Sequence, residues 1–423
     1  MHFDAILSLS IFAITLGLII SEKVNRTVAA MAGAAVILIF RILSGKEALG
    51  FIDFNTLGVL VGMMIIVGIV KNTGIFEYLA IHFAKKAKGD PWKIILSFCI
   101  ITAITSAFLD NVTTVLLIVP MTFVITKTLE LDPIPFLIPQ ILASNIGGTS
   151  TLIGDPPNIM IGSKAGLDFM DFIVNLMPIC IIIFIATMIC LKFMYKKQLI
   201  VSIEKKNEIL KLDEKICIKD KLLLTKCLIV FGLVIIGFFF HSQLGYASGL
   251  VALIGAIVLL LISGQRVDEA FQSVEWPTLF FFAGLFILVG SLEESGLISQ
   301  LAKLVMSITN NNLLFTGILI IWFSAIVSAF LDNIPFVATL IPLIKVMGDN
   351  GMDVTPLWWA VSLGACLGGN GTLIGASANV VVAGLAEKHG YKLTFGRYLK
   401  TGFPLMIMSI VLSTVYLLVF YLL

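Results

Sequence analysis

Two segments, AFLDNVTTVLLIVP (107–120) and AFLDNIPFVATLIP (329–342), lie 222 residues apart, and each sets an acid beside an amide in a run that otherwise dissolves in lipid. An aspartate at the centre of a membrane helix costs about 2.5–3.5 kcal/mol on insertion scales, so a chain that does this twice must fold in a way that offsets it. The solvent follows from composition: hydrophobic residues make up 59% of the 423, charged residues only 13%, and mean hydropathy is +1.06. A soluble domain carries about a quarter charged residues, which this chain does not have. Helical spans need about 20 mostly apolar residues, and such stretches recur from one terminus to the other. The first, Ala5–Ile20, follows Asp4 with no Lys or Arg before it, so it reads as a permanent span and not as a cleaved signal.

The chain is a duplicated unit. A shift of 222 residues lays TLGVLVGMMIIVGIVKNTG (56–74) on TLFFFAGLFILVGSLEESG (278–296), matching Gly62 with Gly284, Gly68 with Gly290 and Gly74 with Gly296; a shift of 221 lays GGTSTLIGDPPN (147–158) on GGNGTLIGASAN (368–379). Blocks repeated in one order at one spacing are a sequence signature of internal repeats. The first unit, 1–195, is expected to hold spans near 5–20, 26–43, 55–71, 136–162 and 172–191. The second, 222–423, holds them near 222–240, 246–263, 277–292, 356–385 and 402–423, and 196–221 links the two. The Asp-Asn segments, 92–128 and 312–346, fall between the third and fourth span of each unit. An odd number of spans per unit turns the second copy over in the membrane, the inverted-repeat plan of secondary transporters. The expected fold is an all-α polytopic membrane protein of about ten transmembrane helices plus two re-entrant hairpins.

Charge supports that plan. With the lysine-rich stretch 192–226 in the cytoplasm, alternating sides places all but five of the 28 Lys and Arg residues inside, the exceptions being Arg41, Lys46, Lys164, Lys303 and Lys345. This positive-inside bias sets both termini outside and suits a cell (plasma) membrane protein. The linker mixes its lysines with Glu204, Glu208, Asp213, Glu214 and Asp220, so it reads as a solvated connector and not as a nucleic-acid patch.

Each Asp-Asn segment is too long for one span and has a polar middle. Two full spans or a re-entrant hairpin would both preserve sidedness. The polar middle favours the hairpin, because irregular backbone at depth survives only against a protein-walled cavity. Gly147-Gly148 permits unwinding and Pro156-Pro157 stops a helix, so 136–162 and 356–385 read as broken helices whose ends offer dipoles and free carbonyls at the midplane. A kink used only for packing is the plainer alternative.

On this assignment Asp110, Asp155 and Asp332 are the only ionisable side chains deep in the membrane, with His2, His82, His241 and His389 at span ends or in loops. Carboxylates without a fixed counter-cation must be protonated or hold a mobile cation. Asp110 and Asp332 are therefore candidate coupling residues, with Asn111 and Asn333 supplying amide oxygens to H⁺ or Na⁺; capping of a hairpin helix is the competing role. The copies differ: Asp155 matches Ala376, Thr149 matches Asn370, Ser150 matches Gly371, and Thr113-Thr114 match Pro335-Phe336. The first half is richer in oxygen and suits a cation. The second offers neutral groups in Asn370, Thr372, Ser377 and Asn379, and a solute is expected between them. The six cysteines (Cys99, Cys180, Cys190, Cys217, Cys227, Cys366) form no CxxC pair and read as packing residues, with contact between the solute and Cys99 or Cys366 left open.

SAFLDNVTTVLLIVP followed by SNIGGTSTLIGDPPNIMIG resembles the ion transporter superfamily that includes arsenite permeases, D-type sodium–proton antiporters, the P protein and the dicarboxylate–sodium symporters, most closely the P-protein and arsenite-permease branch. The resemblance implies a scaffold holding a moving unit of hairpins and broken helices, an elevator-like shift and a homodimer. It implies that Asp110-Asn111 and Asp332-Asn333 are hairpin tips facing an ion and substrate cavity. It implies likewise that Gly148, Thr149, Ser150, Thr151, Asp155, Asn158, Gly369, Asn370, Gly371, Thr372 and Asn379 line the broken-helix side. Dicarboxylate carriers have a Ser-Asn-Thr tip where this chain has Asp-Asn, and a negative tip repels a dicarboxylate. The expectation is an ion-coupled secondary transporter of a small inorganic solute, arsenite foremost, with Na⁺/H⁺ exchange the alternative. A channel suits clustered polar residues less well. An intramembrane aspartyl protease lacks its GxGD glycine, since Leu152 stands there in LIGD. No nucleotide-binding motif is present, so ATP-driven pumping would need a separate subunit.

Overall fold

The computed structural model describes residues 3–21 and 23–422; the expectation for His2 lies outside the described residues. The first half folds into ten helices: α1 (Phe3–Ile20), α2 (Arg26–Ile39), α3 (Gly45–Phe51), α4 (Phe54–Asn72), α5 (Ile75–Lys86), α6 (Pro91–Phe108), α7 (Asn111–Leu129), α8 (Ile134–Thr149), α9 (Pro156–Ala165) and α10 (Phe169–Tyr195). Helix α11 (Ile203–Leu210) lies in the linker. The second half repeats the order: α12 (Lys221–Phe240), α13 (Ser248–Ser263), α14 (Val267–Gln272), α15 (Trp276–Glu294), α16 (Leu297–Ile308), α17 (Leu313–Phe330), α18 (Asn333–Asp349), α19 (Thr355–Gly368), α20 (Ser377–Lys388) and α21 (Phe395–Leu417).

The packing repeats with the halves exchanged. Helix α4 lies along α13 and α15 along α2; α6 lies along α8 and α17 along α19; α9 packs on α18 and α20 on α7. The glycines shared by the repeats account for the first pair. A Cβ at Gly62 would sit 2.5 Å from the Ala252 backbone, and one at Gly284 would sit 2.8 Å from the Ala30 backbone. In lipid, helices associate through close backbone approach at small residues, not through hydrophobic burial.

Of the ten expected spans, α4, α10, α12, α15 and α21 are long and apolar enough to cross a membrane, while α1, α2 and α13 are apolar but shorter. The other two are broken, as α8–α9 and α19–α20. Each Asp-Asn segment is a pair of helices joined at its aspartate, α6–α7 and α17–α18. By length and composition α6, α7 and α17 are also able to cross a membrane, so the choice between a re-entrant hairpin and two full spans stands as the sequence left it. Helices α3, α5, α14 and α16 go beyond the expected spans. They are short, and a search for 20-residue apolar runs passes over them. The linker, expected to be a solvated connector, is docked: Lys85 Nζ donates to Glu214 at 2.5 Å and Lys205 Nζ to Glu130 at 2.6 Å.

Candidate functional site

Each hairpin turns at a leucine in extended conformation followed by an aspartate that starts the second arm. Leu109 leaves α6 with φ −121° and ψ 155°, and Asp110 then caps α7, accepting from Thr113 N at 2.9 Å and from Thr113 Oγ1. Asp332 caps α18 by accepting from Ile334 N at 3.1 Å. Capping satisfies backbone donors that a helix start leaves orphaned. The capping role weighed for these acids is thus present at both tips.

The helix breaks are braced the same way in each half. Asn158 Nδ2 donates to the carbonyls of Thr149 at 3.0 Å and Thr151 at 2.9 Å; Asn379 Nδ2 donates to those of Gly369 at 2.8 Å and Thr372 at 2.9 Å. Thr151 Oγ1 donates to the Ala107 carbonyl and Thr372 Oγ1 to that of Ala329, tying each break to its hairpin. These buried amides meet carbonyls that lost their helical partners, as buried polar groups in lipid require.

The halves meet at side-chain amides. Asn145 Nδ2 donates to Asn370 Oδ1 at 2.9 Å and to Asn379 Oδ1 at 3.0 Å, and accepts from Asn111 Nδ2 at 3.3 Å. Ser362 Oγ donates to Asn158 Oδ1 at 2.6 Å. Asn333 Nδ2 reaches both carboxylate oxygens of Asp155, at 3.4 and 3.3 Å. Beside this network lies a cavity of about 20 Å³, walled by Asp110, Asn111, Asp155, Asn333 and Ser377 with Arg26, Glu275 and Thr278. That is room for about one water or a bare ion.

One expectation is overturned. The deep carboxylates are not all without a fixed cation: Arg26 Nη1 lies 3.1 Å from Asp332 Oδ2 and donates to Ser377 Oγ at 2.6 Å. Arg26 opens α2, where a charge reads as a loop residue, yet its long stem carries the guanidinium inward. Among the described residues Asp110 and Asp155 form no salt bridge. Glu275, at the edge of an expected span, adds a third acid to the cavity wall. Among the described residues that wall the cavity, acids outnumber the single guanidinium, and the oxygen-rich walls suit a proton or a hard cation.

The expected residues divide. Asp110, Asn111, Asp155, Asn333 and Ser377 share the cavity, while Asp332 faces Arg26 in an adjoining cavity of about 360 Å³. The four-residue Na⁺ set Asp110, Asn111, Asp332 and Asn333 is therefore split by Arg26. Asn158, Asn379, Thr151 and Thr372 are braces, Thr113 completes a cap, and Asn370 joins the amide network. Thr149 Oγ1 donates to Asn145 O and Ser150 Oγ to Gly147 O, each at 2.6 Å. Thr114 is buried with its hydroxyl unpartnered. Gly148, Gly369 and Gly371 admit close packing, a Cβ at each meeting an atom within 2.6, 3.0 and 2.8 Å respectively. Among the described residues no group of three or more His, Cys, Asp or Glu is arranged to hold a metal ion.

Asn145, Arg26, Glu275 and Ser362 escaped the sequence reading. A signal existed for Glu275, because the 222-residue shift pairs it with Asp53, an acid heading α4 as Glu275 heads α15. Asn145 pairs with Cys366 at a shift of 221, which hides its amide from a search for repeated polar residues.

A family model described as "Citrate transporter" matches residues 16–364. An uncharacterised transporter of Mycobacterium tuberculosis is 42% identical over 98% of both chains, and a 46 kDa membrane protein of Mycobacterium leprae is 40% identical over 98% of both. The human P protein is 36% identical over 97% of this chain and 59% of its own longer one. The crystal structure of the Alcanivorax borkumensis YdaH transporter shares the fold, with a TM-score of 0.58, 13% identity and 98% of each chain covered.

Proposed function

The chain belongs to the citrate transporter family, and on that footing we propose that it is an ion-coupled secondary transporter moving a small inorganic solute by alternating access. The observation that carries this reading is the cavity of about 20 Å³ where both hairpin tips and Asp155 converge, with Asp110, Asp155 and Glu275 in its wall against Arg26 alone. Acids in such excess around a small cavity, Asp155 buried and Asp110 and Glu275 half-buried, need a proton or cation to remain there, and a group that must be neutralised before it moves is a coupling device. The hairpins and broken helices form the moving unit, and the helices around α2–α15 and α4–α13 form the scaffold. The repeats are inverted, and the wider cavity at Arg26 faces the cytoplasm, on the side of the linker.

The acid excess disfavours a multiply charged anion such as citrate and suits an oxyacid that is largely neutral at pH 7, arsenite foremost. A second reading, Na⁺/H⁺ exchange, is favoured by a cavity sized for one ion. Purified protein in liposomes, assayed for arsenite flux and for Na⁺/H⁺ exchange under imposed Na⁺ or pH gradients, separates the two. Gradient-driven arsenite flux is expected. Cation exchange without it supports the second reading, and no movement of either sinks both.

A further inference from the structure

The two halves are not equivalent where the moving unit meets the scaffold. Shifted by 222 residues, the turn carrying Arg26 becomes the turn 241–248, which lines a different cavity of about 390 Å³. Ile19, Asn25 and Arg26 border the first cavity; their counterparts His241, Ala247 and Ser248 border the second. What faces each turn differs. Arg26 donates to Ser377 Oγ at 2.6 Å, and Ser377 is the first residue of α20. Ser248 is instead bridged by Asn55 Nδ2, at 3.1 Å, to Ser163 Oγ at 3.2 Å, and Ser163 lies at the eighth position of α9. Asp53 Oδ1 also accepts from Ser163 Oγ at 2.9 Å.

The position in α20 equivalent to Ser163 is Gly384, and a Cβ there would meet nothing within 4 Å. Contact on one side thus falls seven residues further along its helix than on the other, a length of about 10 Å at the helical rise.

On the alternating-access reading this structure is one of two states related by exchanging the halves, and we propose that Arg26 is a stationary counter-ion that selects it. The inference rests on the transporter reading and adds the contacts of the state not seen here. In that state the moving unit has travelled about 10 Å, Arg26 has released Asp332, and Glu275 and Pro277 close on Gly384 as Asp53 and Asn55 now close on Ser163. Ser248 then stands opposite Asp110 and Pro156. Ser248 is neutral, so no guanidinium replaces the one withdrawn. Asp332 must acquire its own proton or cation before Arg26 lets go, which makes Arg26 a positioning residue for coupling on one side only.

Two cysteine pairs read the two states in the full chain: Asn55→Cys with Ser163→Cys for this one, Pro277→Cys with Gly384→Cys for the other. Linked peptides are identified by mass spectrometry after mild oxidation in liposomes, and arsenite and Na⁺/H⁺ flux are measured before and after reduction. Both links should form, each should arrest flux, and reduction should restore it. Arg26→Gln should raise the 277–384 link relative to the 55–163 link by about threefold or more, and Arg26→Lys should return the ratio toward its starting value. Failure of 277–384 to link in protein that still transports overturns the proposal, as does an unchanged ratio in Arg26→Gln. Both links forming and responding to Arg26 without any flux would support the two states and tell against the transport reading alone.

Discussion

Asn145 donates to Asn379 at 3.0 Å across 234 residues of sequence, and at the equivalent place in the other half the thiol of Cys366 donates to Asn158 at 3.7 Å. Each broken helix therefore donates to the asparagine that braces the opposite break, and on Asn158 Oδ1 the thiol shares its acceptor with Ser362 Oγ at 2.6 Å. The amide is the stronger donor and a thiol a weak one, so the two links should differ in strength. Asn145→Ala leaves the acceptors of Asn370 and Asn379 short of a partner in a buried site, at a cost of about 1–3 kcal/mol. Cys366→Ala should lose less than about 1 kcal/mol. Thermal unfolding in detergent compares the two, and an Asn145→Ala protein as stable as Cys366→Ala contradicts the ordering.

Charge and cap can be separated at Asp110. Asparagine keeps an oxygen for the Thr113 amide, which now donates at 2.9 Å, but removes the charge. Asp110→Asn should leave the melting temperature nearly unchanged and lower gradient-driven flux by about tenfold or more. Asp110→Ala should lose the cap as well, about 1 kcal/mol. If Asp110→Asn and Asp332→Asn both transport normally and keep their gradient dependence, these acids do not couple ions.

Glycine substitutions should divide by what faces them. Ala at Gly62 sets a methyl 2.5 Å from the Ala252 backbone, a clash no rotamer relieves, so Gly62→Ala should cost about 1–3 kcal/mol. Gly232 lies inside α12 with nothing within 4 Å of a Cβ. There alanine should be neutral or gain about 0.5–1 kcal/mol from helix propensity. Equal effects at the two positions would show that the α4–α13 contact does not depend on backbone approach.

Polar residues misplaced in apolar runs announced the hairpins and the helix breaks, because lipid makes such residues expensive and therefore conspicuous. The same signal overstated the candidate site. Asn158, Asn379, Thr151 and Thr372 stand out in sequence as strongly as Asp110 does, yet the structure engages the two asparagines with carbonyls at the breaks and the two threonines with carbonyls at the ends of the first hairpin arms. Arg26 and Glu275 failed in the opposite way. Both sit at helix starts, where a charge is ordinary, and only the fold reveals that these starts point at the cavity. Helices such as α5, twelve residues with an apolar and a charged face, carry too short a pattern to register beside full spans.

The docked linker should release in acid. Lys85 Nζ donates to the Leu212 carbonyl at 2.9 Å and to Glu214 at 2.5 Å, and Lys219 N donates to Thr73 O at 3.1 Å, so 212–219 is held against the turn between α4 and α5. Gly74 at that turn has φ 79°, and any side chain there would collide with the Cys217 carbonyl. The Lys85 ammonium, helped by Glu214's own backbone, holds the Glu214 carboxyl below its ordinary value of 4.5. A depressed folded-state pKa stabilises the docked form fully above the ordinary value and is lost as pH falls through the lower one. Hydrogen exchange over 203–220, corrected for its intrinsic pH dependence, should therefore show constant protection from pH 7 to about 5 and a loss below about 4.5. Glu214→Gln should already be less protected at neutral pH and should flatten the profile. Indistinguishable profiles for the two proteins would mean that the Lys85–Glu214 pair does not hold the linker in place.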